Sequence, residues 1–282
     1  MAIIPTIEIE TKLQERLDAP MVWKEILDVK YTNTGILKNP YLTDATQYTG
    51  TRGAGYTSVA IATVDDSVSI VDYVGSAEHI DKADLAQKTF SDFMEIAENM
   101  GTVLNEGMET AMLSEHAQWT NFDATKIGLP AGNITVAITN IKQIIAAMKT
   151  QIRIAGGGTL AERNGMFIQW READFELVEL LASSEGFNTA DDALKNGIKQ
   201  GFKYLNVEHY STSRNVAGHV FGGVKKGMSV GIVTDTYGQM THITNPVVGG
   251  AQISGIGLET RIDRAFKVWT KKVPVTFDIL VA

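Results

Sequence analysis

The chain has 282 residues, 44% of them hydrophobic and 21% charged, and a net charge of −8 at neutral pH. This is the composition of a globular protein, long enough for one large domain or two modest ones. The acidic balance argues against a general nucleic-acid-binding face, which would be basic. Because the chain has no cysteine, disulfides, thiolate nucleophiles and cysteine zinc sites are excluded.

The first 45 residues have the character of an arm. IETKLQERLDAPMVWKEIL has short helical character, and YTNTGILKNPYL is typical of an extended loop. The N-terminus lacks the basic stretch and apolar run of a signal peptide, and no apolar run approaches the roughly 20 residues that span a bilayer. We therefore expect a soluble protein without membrane partners. The apolar residues of the arm, Trp23 among them, are too sparse to form a core alone, which predicts that the arm packs on something else.

Residues 46–78 are rich in Gly, Thr, Ser and Val, with alternating apolar positions. This pattern predicts a β-hairpin of about 56–64 with 67–74, turning at Asp65 and Asp66. An isolated hairpin is marginally stable in water. A long one therefore needs a neighbour to lie on.

Residues 82–115 carry the strongest helical pattern in the chain. Their apolar residues are consistent with one stripe, with Asp81 as a cap and with Gly101 and Gly107 as points where the helix could bend. The stripe consists of Leu85, Phe93, Ile96, Met100, Leu104, Met108 and Met112.

From residue 130 helical and strand patterns mix without a repeating βαβ rhythm, which predicts an α+β protein. Pro274 suggests a sheet edge or a bulge near the C-terminus. The predicted helices are TNIKQIIAAMKTQI (139–152) and READFELVELLAS (171–183), and the predicted strands are NGMFIQW (164–170), GFKYLNVEHY (201–210), HVFGGVKKGMSVGIV (219–233) and most of 251–282.

One motif could carry chemistry. Gly227, Ser229 and Gly231 form a G-x-S-x-G, followed by Asp235 and His242 in the order serine, acid, histidine. A nucleophile elbow needs a helix directly after the serine, whereas the next residues are β-branched and strand-like. The acid and the histidine also follow too closely for that architecture. We therefore interpret the motif as a glycine-punctuated pair of strands.

The remaining motifs do not form a catalytic set. IAGGGTLAERNG (154–165) resembles a phosphate loop but lacks the G-K-[ST] ending, so it is interpreted as a flexible connector before a strand. The five histidines lack H-x-H and H-E-x-x-H spacings, so no metal site is expected; only ligands far apart in the sequence could form one. We expect neither an enzyme nor a cofactor.

The order of these segments resembles the major capsid protein of tailed double-stranded DNA bacteriophages, which has the Hong Kong 97-type fold. DKADLAQKTFSDFMEIAENMGTVLNEGMETAML resembles its spine helix, and NGMFIQWREADFELVELLAS followed by GFKYLNVEHYSTSRN resembles the strand–helix–strand run of its axial domain. The resemblance covers nearly the whole chain but contains no invariant motif. It implies an N-terminal arm (1–45), an extended hairpin loop (46–78), a peripheral domain (79–128), an axial domain (129–245) and C-terminal strands returning to the peripheral domain (246–282).

The resemblance also implies a function. The subunits would assemble into pentamers and hexamers of an icosahedral shell around double-stranded DNA, bound without sequence specificity. Assembly would take place in the host cytoplasm, with scaffolding, portal and decoration proteins as further partners. Because the chain begins almost directly with the arm, a separate scaffolding protein or a mature form is implied. Inter-subunit contacts are expected at Arg52, Tyr56, Asp65, Asp66 and Trp23.

Three alternatives remain at this point. An encapsulin-like compartment for protein cargo would share the fold. A serine hydrolase would use Ser229. A tail or fibre protein is disfavoured because fibres are typically repetitive.

Overall fold

The computed structural model describes residues 21–45, 47, 49–53, 60–82, 90–185, 201–236, 239–248, 250–252 and 254–282. Within them the helices are α1 (Trp23–Ile26), α2 (Phe90–Ser114), α3 (Ile141–Ile154), α4 (Gly158–Asn164) and α5 (Glu172–Ser184). The strands are β1 (Asp28–Thr32), β2 (Ile36–Lys38), β3 (Tyr41–Leu42), β4 (Thr63–Val64), β5 (Ser67–Ser69), β6 (Asp72–Asp81), β7 (Thr120–Phe122), β8 (Met166–Arg171), β9 (Gly201–Tyr204), β10 (Val207–Thr212), β11 (His219–Val224), β12 (Met228–Val233), β13 (Met240–Thr244), β14 (Val247–Val248), β15 (Ala251–Gln252), β16 (Gly255–Val268) and β17 (Thr276–Leu280).

Two sheets organise the described strands. In the five-stranded sheet the long β16 pairs antiparallel with β6, β12 and β13, and β1 runs parallel to β12 at the edge. The six-stranded sheet has the order β7-β17-β11-β8-β10-β9. Helices and sheets thus mix without a regular βαβ alternation, which confirms the predicted α+β class.

The six-stranded sheet is buried on both faces. Side chains alternate along each strand, and hydrophobic cores cover both sides. On β8, Ile168 faces a core formed with α3 and α5, whereas its neighbour Phe167 faces a second core. That second core is shared with α2 and with β12 and β16 of the five-stranded sheet. Strand β8 therefore contributes side chains to both hydrophobic cores.

Helix α2 follows the apolar stripe. Met100, Leu104, Met108 and Met112 are all buried, and the helix continues through both of its glycines. Its 25 residues make it about 37 Å long. Asp81, the predicted cap, is the last residue of β6. The stripe's Leu85 and the side chain of Phe93 lie outside what the structure describes.

The two glycines of α2 predict opposite effects of the same substitution. A Cβ at Gly101 would meet no heavy atom within 4 Å, whereas one at Gly107 would lie 2.4 Å from Val74 Cγ1 on β6. We expect Gly101→Ala to stabilise the protein by about 0.5–1 kcal/mol through helix propensity. Gly107→Ala should instead destabilise it by about 1–3 kcal/mol through overpacking. Urea unfolding of both variants tests this; equal effects would contradict the close packing of α2 on β6.

The described part of the arm, which begins at residue 21, packs on its own subunit. Trp23 and Leu27 are buried against α2, and β1 extends the five-stranded sheet. This agrees with an arm that lacks its own core.

Several local predictions are wrong. Residues 201–210 are two antiparallel strands rather than one, because Leu205 and Asn206 adopt left-handed conformations, with φ of 48° and 59°. The glycines of 154–165 open the short helix α4 instead of a flexible connector. Pro274 lies in a 3-10 turn and not at a strand edge or bulge. The return of the C-terminal strands to the peripheral domain stays a prediction; β17 lies in the six-stranded sheet between β7 and β11.

Candidate assembly surfaces

The G-x-S-x-G segment is part of the sheet framework. Ser229 is fully buried in β12, and its Oγ accepts a hydrogen bond of 2.7 Å from Trp269 Nε1, while Asp235 and His242 lie exposed. A Cβ at Gly227 would lie 2.6 Å from Thr276 Oγ1. The glycine therefore allows close packing of the strands, and the serine hydroxyl is inaccessible to a substrate. The predicted strand pair is wrong in one respect, since β11 and β12 belong to different sheets.

We expect Ser229→Ala to cost about 1–3 kcal/mol of unfolding free energy, because the buried indole N–H of Trp269 loses its acceptor. Guanidinium unfolding measures this effect. The control Ser254→Ala removes a hydroxyl from an exposed residue and should change stability by less than about 0.5 kcal/mol. Equal effects of the two substitutions would contradict this role.

An extended ribbon is formed by residues 35–43 paired antiparallel with 62–70. One register runs along its whole length, from Ile36 facing Ser69 to Leu42 facing Thr63. Backbone hydrogen bonds continue it at both ends. Between β2 and β3 the register is kept by the Asn39 N–H, which donates to the Asp66 carbonyl at 2.7 Å.

The predicted hairpin is therefore wrong in its pairing. Asp65 and Asp66 lie within the returning strand of the ribbon and do not form its turn. The partner of this strand is the segment 35–43, which belongs to the predicted arm (1–45). Beyond the ribbon, β6 pairs with β16. Alternation identified extended chain correctly, but strand pairing depends on residues distant in sequence.

The base of the ribbon is fixed to the body. Asp66 is buried, accepts a 2.8 Å hydrogen bond from the Thr270 backbone N–H, and lies 3.7 Å from Lys267 Nζ. Leu37 and Ile70 lie against Gly231, where a Cβ would approach their side chains to 3.2 and 3.3 Å. The second glycine of the G-x-S-x-G thus makes room for the ribbon.

The tip of the ribbon has the opposite character. Every described residue from 44 to 61 is exposed. Leu42 is 61% exposed and Ile61 is 59% exposed, although both are large and apolar. The subunit itself therefore leaves apolar side chains of the ribbon exposed to solvent.

The five predicted contact residues fall into different environments. Trp23 is 2% exposed and Asp66 is 7% exposed, so both side chains are engaged within the subunit. Arg52 is exposed at the tip, and Asp65 forms a 3.8 Å ion pair with Lys38 on the ribbon surface. Tyr56 lies outside the described residues. Arg52 and Asp65 remain proposals for inter-subunit contacts.

A buried carboxylate joins arm, helix and sheet. Glu109 on α2 is fully buried and accepts hydrogen bonds from the Val22 backbone N–H at 2.9 Å and from Gln169 Nε2 at 2.7 Å. Burial raises its pKa, which these hydrogen bonds and the charge of Arg214 oppose. Sequence reasoning missed this residue. Its signal is a carboxylate three residues before Met112, on the apolar side of the helix.

Comparisons were made with known families and structures. No family model and no curated protein matches the sequence, but solved structures match the fold. The capsid of an empty GTA particle has a TM-score of 0.69 at 11% identity, covering 98% of this chain and 94% of the other. The capsid of cyanophage P-SCSP1u has a TM-score of 0.61 at 11% identity, covering 98% and 93%. A virus-like particle from Pyrococcus furiosus has a TM-score of 0.54 at 10% identity, covering 92% of both chains.

At these identities the likeness is one of fold. It spans nearly the full length of both chains in each case. Among the described residues, no helix has the length and hydropathy to cross a membrane. The chain therefore adopts the α+β fold of bacteriophage capsid proteins, the Hong Kong 97-type fold that its sequence predicts.

Proposed function

We propose that the chain is the repeating subunit of an icosahedral shell that encloses double-stranded DNA, that is, a major capsid protein. The observation that carries the proposal is the ribbon, on a fold shared with shell proteins. Its base is held by Asp66, while its tip presents Leu42 and Ile61 to solvent. The ribbon has no core of its own, so its exposed apolar surface is best buried against a neighbouring subunit.

The magnitude of this burial fits repeated contacts. Covering the exposed parts of Leu42 and Ile61 contributes roughly 1–2 kcal/mol each, which is too little for a stable pair of subunits. In a closed shell every subunit gives and receives such a contact, so modest contacts add up and assembly becomes cooperative. Pentamers and hexamers are the units that we expect.

The proposal extends to contents and location. With a net charge of −8, the subunit is suited to enclose DNA without gripping its backbone, since strong phosphate binding requires a basic face. The shell would assemble in the host cytoplasm and persist as the capsid of the virion. Scaffolding, portal and decoration proteins would be its further partners.

Size-exclusion chromatography of the purified chain, followed by negative-stain electron microscopy, tests the shell. We expect closed particles tens of nanometres across, or rings of five and six subunits. A species that stays monomeric at high concentration, and also in the presence of the scaffolding protein of its source, would contradict the proposal.

A protein-cargo compartment is the second candidate, because it would share the fold that this chain has in common with a virus-like particle from Pyrococcus furiosus. The contents of particles isolated from their natural source separate the two functions. Nuclease-protected DNA of defined length supports a capsid, whereas a co-purifying enzyme without protected DNA supports a compartment. A hydrolase using Ser229 has no support from the geometry, because that hydroxyl is buried and bonded to Trp269.

A further inference from the structure

Two histidines and an aspartate meet where helix α2 ends against the six-stranded sheet. His116 lies in the 3-10 turn after α2, His219 begins β11, and Asp278 lies on β17. Asp278 Oδ2 is 2.8 Å from His219 Nδ1 and 3.9 Å from His116 Nδ1. The imidazole rings are stacked, with centroids 3.8 Å apart. Three distant parts of the sequence thus contribute one cluster.

The carboxylate of this cluster lacks a full set of partners. Asp278 is 2% exposed, and its Oδ1 has no hydrogen-bond partner among the described residues. A buried, under-coordinated carboxylate is costly unless it is paired or coordinates a metal.

The spacing suits a small metal ion. With metal–nitrogen and metal–oxygen bonds of about 2.0–2.2 Å, ligand atoms of a tetrahedral zinc site lie about 3.3 Å apart. The two distances from Asp278 lie on either side of this value, and one ligand atom from each of the three residues can be chosen so that all lie within 4.8 Å of one another. The side chains of His116 and His219 are 29% and 25% exposed, so both imidazoles are in contact with solvent.

We propose that His116, His219 and Asp278 bind one divalent transition-metal ion, with Zn²⁺ as the best fit. Imidazole and carboxylate are ligands that Zn²⁺ accepts, and three protein ligands leave a fourth position for water or for a group from a neighbouring subunit. The exposed edges of the imidazoles give the ion its entry path. The bound ion would fasten the end of α2 to β11 and β17. This inference does not depend on what a shell encloses.

Isothermal titration calorimetry of the chelator-treated, full-length protein with ZnCl₂ tests the site, with CoCl₂ absorption as a second readout. We expect one Zn²⁺ per subunit and a visible Co²⁺ spectrum typical of tetrahedral coordination. His116→Gln and His219→Gln should each lower Zn²⁺ affinity by more than about 10-fold, since even second-shell losses reach 10–100-fold. The control His242→Gln changes an exposed histidine outside the cluster and should leave affinity unchanged.

Circular dichroism without metal shows whether each variant folds. His116→Gln is the decisive variant if His219→Gln is unfolded, because His219 also makes the shorter contact to Asp278. Absence of Zn²⁺ binding in the wild-type protein, or equal affinity of the wild type and folded His116→Gln, would overturn the proposal.

Discussion

Replacing residues 44–61 with Asn-Gly is expected to give a folded subunit that no longer closes shells. The ribbon keeps its register up to the Thr43 N–H, which donates to the Ala62 carbonyl at 2.9 Å, so a two-residue turn can join the strands. The removed segment is exposed at every described position. Unfolding free energy should therefore change by less than about 1 kcal/mol, while closed particles disappear from electron micrographs.

Point substitutions give a graded form of this experiment. Leu42→Ser with Ile61→Ser should reduce particle yield without changing the unfolding midpoint. Ile154→Ser, at the end of α3, removes a side chain that is 74% exposed and serves as the matched control away from the ribbon. Arg52→Glu at the tip is a milder charge-reversal test. Full yield of closed shells from the shortened ribbon would show that the tip makes no essential contact.

Glu109→Ala is expected to lower the free energy of unfolding by about 3–5 kcal/mol. The substitution leaves the Val22 N–H and the Gln169 amide without their acceptor, at about 1–3 kcal/mol for each buried donor, and it also opens a cavity. The arm should detach from α2 before the body unfolds, which protease sensitivity near residue 22 would report. The control Glu98→Ala alters an exposed position of the same helix and should cost less than about 0.5 kcal/mol. A loss below about 1 kcal/mol for Glu109→Ala would contradict the role of this carboxylate.

The pH dependence of the Glu109 contribution has a definite sign. Burial raises the pKa of Glu109 in the folded protein above its ordinary value of 4.5, so the folded state binds this proton more tightly than the unfolded state. The resulting stabilisation is full below about pH 4.5 and is lost as pH rises through the folded pKa. Glu109→Gln removes this dependence. Urea unfolding should therefore show that the free energy of unfolding of the wild type falls, relative to that of Glu109→Gln, as the pH rises from 4 to 7.

The predicted elements that proved correct are those with local causes. Helices α3 and α5 and strand β8 follow from apolar periodicity within single segments, and each was found within two residues of its predicted bounds. The overall fold followed from the order of such segments. The burial of Ser229 agrees with the strand-like residues after it.

What the sequence could not provide is pairing between distant segments. Alternation marks residues 62–70 as extended, but only the folded chain shows that they pair with 35–43. The same holds for His116, His219 and Asp278, whose spacing matches no local metal motif. The turn at Leu205 was missed because leucine rarely adopts a positive φ.

The order in which the chain contributes strands to the two sheets also determines when the subunit can fold. Strand β1 pairs with β12 far along the chain, and β17 lies between β7 and β11. During synthesis the core shared with α2 stays incomplete until β16 has emerged, and the core formed with α3 and α5 until β17 has emerged. Such non-local contacts form slowly. Until then the apolar faces of α2 and β8 are uncovered, which favours aggregation of the nascent chain.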